Sequence, residues 1–179
     1  MRYLFTFIMD KKYKIILFFF LKAVLMYLLW FVLYEKWLLR VGWVDKIVID
    51  NLVMMTDVLL QGVGYETFVV EHAIGIQGSH GVFIGTPCNG LDLMALFAGF
   101  VIIFNGSWKH KLWFIPLGLI IIHLLNLLRV IALTIMAKTA PEYLDFNHKY
   151  TFTIILYAFV FLGWMLWVKY FAVKNHSSI

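Results

Sequence analysis

The 179-residue sequence contains a single cysteine, Cys88. An internal disulfide is therefore excluded, and so is a zinc site built from several cysteines. Charge is also scarce: 14% of residues are Asp, Glu, Lys or Arg, whereas 63% are hydrophobic. A soluble domain carries about 25% charged residues, so much of this apolar surface must face lipid. The first apolar run also lacks a signal-peptide cleavage site, because it passes directly into Tyr34-Glu35-Lys36-Trp37; it is expected to stay attached. No internal repeat is evident. The net charge of +5 comes from basic residues flanking apolar segments, which reads as membrane topology rather than contact with nucleic acid.

What is present is a series of apolar runs of the length a bilayer requires, about 20 residues per helix. They predict an all-α polytopic membrane protein, one domain over residues 1–179, with about four transmembrane helices at 15–33, 89–104, 112–137 and 151–168. Lys22 interrupts the first, and is expected to face a partner helix or to snorkel. Pro116, His123, Asn126 and Arg129 interrupt the third, which is expected to tilt or kink. The region 35–87 is too polar to span. Within it Ile47, Val48, Leu52, Met55 and Leu59 fall at helical spacing and predict an amphipathic surface helix. The β-branched stretch from Glu66 to Gly85 predicts a short extracytoplasmic β-hairpin turning at Gln77-Gly78-Ser79-His80. Residues 141–150 read as a polar loop.

Basic residues set orientation. Arg2, Lys11, Lys12 and Lys14, against Asp10, precede the first run and Lys109 and Lys111 lie between the second and third, whereas Glu35, Asp45, Asp50, Asp57, Glu66 and Glu71 outnumber Lys36, Arg40 and Lys46 in the intervening region. Both termini are therefore expected in the cytoplasm, with Cys88 and the 138–150 loop on the outer face. Cys88 would open the second crossing, where the helix end favours a thiolate. Pro87 would fix the chain entry, and Gly90 would let a substrate backbone approach the sulfur. Arg129, about 12 Å below the outer end of its helix at 1.5 Å per residue, can reach upward. Six histidines are candidates for a base. His110 and His176 fall on the cytoplasmic side, and His123 in the inner half. His148 is the outer-face choice, with His80 as runner-up and His72 beside them. In this arrangement His148 takes the thiol proton, Cys88 attacks a carbonyl, and Arg129 stabilises an oxyanion or orients a carboxylate. The bland readings are a packed thiol and an Arg129–Asp92 ion pair.

Cys88-Asn89-Gly90 opening one helix, Asn126-Leu127-Leu128-Arg129 inside the next, and Phe146-Asn147-His148 before the last together resemble the exosortase/archaeosortase family of membrane cysteine transpeptidases. The resemblance covers about residues 66–165 and is closest to a short, Gram-negative form. It implies a bacterial inner-membrane enzyme that cleaves exported proteins at a C-terminal sorting signal containing a transmembrane helix. It also implies transfer of the acyl group to an acceptor, an amine or a glycolipid. Cys88, Arg129 and His148 would be catalytic and Asn89, Gly90, Asp92 and Asn126 supporting, with no metal and no cofactor. Two other classes compete: a non-catalytic envelope scaffold, and a small transporter subunit with Arg129, Asp92, His123 and Asn126 along a polar path.

Overall fold

A computed structural model describes residues 11–34, 36 and 39–172. The expected cytoplasmic termini, with Arg2, Asp10 and His176, lie outside the described residues. Helix α1 (Lys11–Leu33) is followed by a short turn α2 (Leu39–Val41) and by α3 (Trp43–Gly62). Three strands come next, β1 (Thr67–Val70), β2 (Ala73–Ile76) and β3 (Val82–Phe83). The chain then forms α4 (Leu91–Ile103), α5 (Trp108–Thr139), α6 (Leu144–Phe146) and α7 (Phe152–Trp167).

Among the described residues two helices are long and apolar enough to cross a membrane, Trp108–Thr139 and the continuous helical stretch Pro141–Phe171. The apolar helical segments Phe20–Leu33 and Leu91–Ile103 are shorter. At 1.5 Å per residue α4 rises about 20 Å, less than the roughly 30 Å hydrocarbon core. Its C-terminal end is closed by Lys111, whose ammonium donates to the carbonyls of Ile102 at 2.7 Å and Phe104 at 2.8 Å. Those carbonyls would otherwise lack helical partners. A lysine expected to act only as a topology signal is thus buried as a helix cap. Lys22 lies with its ammonium 4.6 Å from the centroid of the Phe18 ring.

The expected hairpin is a three-stranded antiparallel sheet in the order β1-β2-β3. Val70 pairs with Ala73, so the chain reverses at Glu71-His72, inside what reads as one β-branched run. Glu71 adopts a φ of 51° to make that turn. The 141–150 loop is also corrected. Pro141–Tyr143 is a 3-10 turn, α6 follows, and a π-helical turn at Asn147–Thr151 runs directly into α7. Proline is tolerated at a helix start, and nothing after Pro141 breaks the helix.

Two apolar clusters hold the elements together. Ile49, Leu52 and Val53 of α3 pack with Ile74, Ile84, Leu127 and Val130. The inward face of α3 is therefore Asp45, Ile49, Leu52, Val53, Thr56 and Leu60, whereas Ile47 and Leu59 are exposed. The second cluster joins Phe97 and Val101 of α4 to Ile122 of α5 and Val160 and Trp167. Phe97 lies against Gly118 so closely that a Cβ there would overlap its ring. Gly118→Val should therefore overpack this cluster and cost about 1–3 kcal/mol. Thermal unfolding of the detergent-solubilised protein checks this: a lowered midpoint is expected, and an unchanged one contradicts the packing.

Candidate active site

Cys88 ends a 3-10 turn, Thr86–Cys88, that contains Pro87. Its N–H donates to the Gly85 carbonyl at 2.9 Å. The thiol therefore precedes α4 rather than opening it, because Gly90 is the N-cap and Leu91 the first helical residue. Helix-end effects fall off within one turn, so the contact that dominates the sulfur is a side chain. Cys88 Sγ lies 3.2 Å from His148 Nε2, within reach for proton exchange. His148 sits on the π-helical turn, a local widening that changes which way side chains point and is frequent at functional sites.

Of the other histidines expected on the outer face, His80 is exposed in the turn after β2. His72 Nε2 stands 3.5 Å from Asp50. Among the described residues the imidazole hydrogen-bonded to the thiol is that of His148.

The turn that carries Cys88 is fixed from two sides. The buried Asn126 amide donates to the Cys88 carbonyl at 2.8 Å. Gly90 has a φ of 83°, and a Cβ added there would come 3.3 Å from Asn126 Nδ2. Glycine is thus needed for backbone conformation and for the close approach of Asn126, a different reason from the expected access to the sulfur. On the other side Asn89 Oδ1 accepts from the Leu91 N–H at 2.9 Å. Its amide donates to Asp45 Oδ1 at 2.6 Å. Tyr34 donates its hydroxyl to the same oxygen at 2.8 Å. Burial, with the Asp45 carboxylate beside it, raises the Tyr34 phenol above its ordinary pKa, so it remains a donor.

Asp45 and Tyr34 are the members of this site that the sequence reading missed. Asp45 reads as a topology charge, yet it continues the stripe Ile49, Leu52, Thr56, Leu60 at helical spacing. It is 3% exposed. A carboxylate within an apolar stripe is the signal that could have found it.

Arg129 contacts the site through Asn126. Its Nη1 lies 3.5 Å from Asn126 Oδ1, a long contact, and its Nε is buried without a hydrogen-bond partner. Among the described residues it makes no ion pair with Asp92. That carboxylate is exposed and accepts from Trp30 Nε1 at 3.2 Å. Of the groups named for a transport path only Arg129 and Asn126 touch one another, whereas His123 turns to Asn51 at 2.9 Å and Asp92 to Trp30.

The site thus sets a thiol against an imidazole on a turn pinned among apolar helices. The chain belongs to the transmembrane exosortase family (Exosortase_EpsH), whose model matches residues 5–168. No curated protein matches the chain, and no solved structure does.

Removing Asp45 leaves the Asn89 amide and the Tyr34 hydroxyl without their acceptor, at a cost of about 1–3 kcal/mol. Asp45→Ala should lower the thermal midpoint, and Asp45→Asn should lower it less because an acceptor oxygen remains. An Asp45→Ala protein as stable as the wild type would contradict this role.

Proposed function

We propose that this protein is a cysteine peptidase or transpeptidase of the bacterial inner membrane. Its substrates are exported proteins with a C-terminal sorting signal that includes a transmembrane helix. The observation that carries the reading is the 3.2 Å approach of His148 Nε2 to Cys88 Sγ, supported by membership of the exosortase family.

His148 takes the thiol proton as Cys88 Sγ attacks the scissile carbonyl. The tetrahedral intermediate then collapses, the C–N bond breaks, and His148 returns the proton to the leaving amine. A thioester remains on Cys88. Water or an acceptor amine attacks it, His148 accepts the proton released, and the thiolate departs. An amine acceptor gives transfer; water gives release.

Arg129 stabilises the oxyanion or orients a substrate carboxylate. Its partnerless buried Nε supports this, since buried donors are rarely left unpaired. Asn126 holds the Cys88 carbonyl, while Asn89 and Gly90 shape the turn. The basic residues flanking the apolar runs favour cytoplasmic termini and processing at the outer face.

The test follows exported proteins with apolar C-terminal tails in the native host. Tailed precursors should accumulate with Cys88→Ala and Cys88→Ser while each variant stays in the membrane at normal abundance. His148→Ala should slow processing by about 10²–10⁴-fold. Normal processing in both cysteine variants would overturn the catalytic reading and favour the scaffold.

A further inference from the structure

The small sheet ends on an edge that leads into the turn bearing the thiol. Its strand order is β1-β2-β3, so β3 pairs on one side. Ala73 lies opposite Phe83 and Ile74 opposite Val82, and the Ile84 N–H donates to the His72 carbonyl at 2.9 Å. Hydrogen-bonded and non-hydrogen-bonded pairs alternate along an antiparallel ladder. Val82 and Ile84 therefore turn their backbone groups toward β2, and Phe83 turns its N–H and C=O away from it. Gly85 remains extended, with φ −91° and ψ 177°, so its N–H also faces outward. Among the described residues none of these three groups has a hydrogen-bond partner.

The edge is continuous with the site. Phe83 stands five residues before Cys88, and the Gly85 carbonyl accepts from the Cys88 N–H. The inner face of β3 is held by Ile84, buried with Leu127 and Val130. On the outer face Phe83 is 66% exposed, and Gly81 and Gly85 leave that face bare on either side of it. The opposite edge differs, because Thr67 of β1 is tied through its hydroxyl to Asp57 and Gln61 of α3.

An unpaired edge is a template for one more strand, and extended peptides bind such edges through main-chain hydrogen bonds. Direction follows from chain order. The protein runs from β3 through Cys88 into the apolar helix α4. A sorting signal runs from an extended motif through the scissile bond into a transmembrane helix. A substrate parallel to β3 thus carries its scissile bond toward the thiol, whereas an antiparallel one would have to reverse before entering the membrane.

We propose that the substrate segment preceding the scissile bond adds to β3 as a parallel strand, hydrogen-bonded to the N–H and C=O of Phe83 and to the N–H of Gly85. This binding mode rests on the peptidase reading of Cys88 and adds how the peptide is held.

The test uses full-length protein in the native host and follows exported proteins with apolar C-terminal tails. Phe83→Pro removes the outward N–H and puts a ring in the path of an incoming strand, while the pairing of Val82 and Ile84 with β2 needs nothing from that N–H. Phe83→Ala removes the side chain and keeps the N–H. Processing should be about tenfold slower in Phe83→Pro than in Phe83→Ala. Val69→Pro, which removes an outward N–H from β1, should process at the wild-type rate. Equal rates in the two Phe83 variants, or the same loss in Val69→Pro, overturn the strand addition. Normal processing by Cys88→Ala overturns the peptidase reading with it. A photocrosslinking residue in place of Phe83 decides the matter if proline disturbs the turn. In the Cys88→Ala protein it should capture tailed precursors through residues just before the apolar tail, and the same group in place of Val69 should not. No captured precursor at Phe83, or equal capture at Val69, likewise overturns the binding mode.

Discussion

The hydrogen bond from the Asn126 amide to the Cys88 carbonyl, 2.8 Å long, is the constraint on which the site depends. It ties the turn that carries the thiol to the middle of the long helix α5. It can form because Gly90 leaves room for the Asn126 side chain. The bond from Asn89 to Asp45 secures the same turn to α3, and Tyr34 extends that tie to the end of α1. Three elements thus fix one short turn, and the His148 ring closes on it from the segment leading into α7. In an apolar interior such polar contacts are strong when complete and costly when broken, which suits a site that must hold its geometry.

This arrangement also sets the level of the thiol within the bundle. Asn126 is thirteen residues from Thr139, about 20 Å along the helix axis. The short helix α4 rises a similar distance from its Lys111 cap to the turn bearing Cys88. The thiol therefore lies well below the Thr139 end of α5, beside α3 and the small sheet. A scissile bond next to a substrate's own transmembrane helix would meet the sulfur at such a level, which is why a buried site and a membrane-anchored substrate belong together in the proposed function.

Much of this was legible in the sequence, for identifiable reasons. The runs in α1, α5 and α7 stand out because lipid-facing helices are apolar over long stretches. The Cys-x-Gly and Asn-x-x-Arg spacings singled out residues that the fold does bring together, and depth alone favoured His148 over His110 and His123. Misreadings arose where local composition and tertiary context diverge. Glu71-His72 interrupts a β-branched run without glycine or proline, so the extra turn carried no signal. Asp145, Asn147 and Lys149 made a helical segment look like a loop, and the 13-residue helix α4 was embedded in a longer apolar run. Asp45 reads as one more charge in a topology count, whereas its stripe on α3 packs against α5 and the sheet.

The central claim is that His148 acts as the base for Cys88. The most direct test uses the chain's single cysteine, whose reaction with a membrane-permeant thiol reagent reports on one site. At neutral pH the rate for the wild type is compared with that for His148→Ala, each checked for intact helix content. The account predicts markedly slower modification in the variant, because the group that accepts the thiol proton is gone. Equal rates would contradict it and leave the 3.2 Å contact as packing alone.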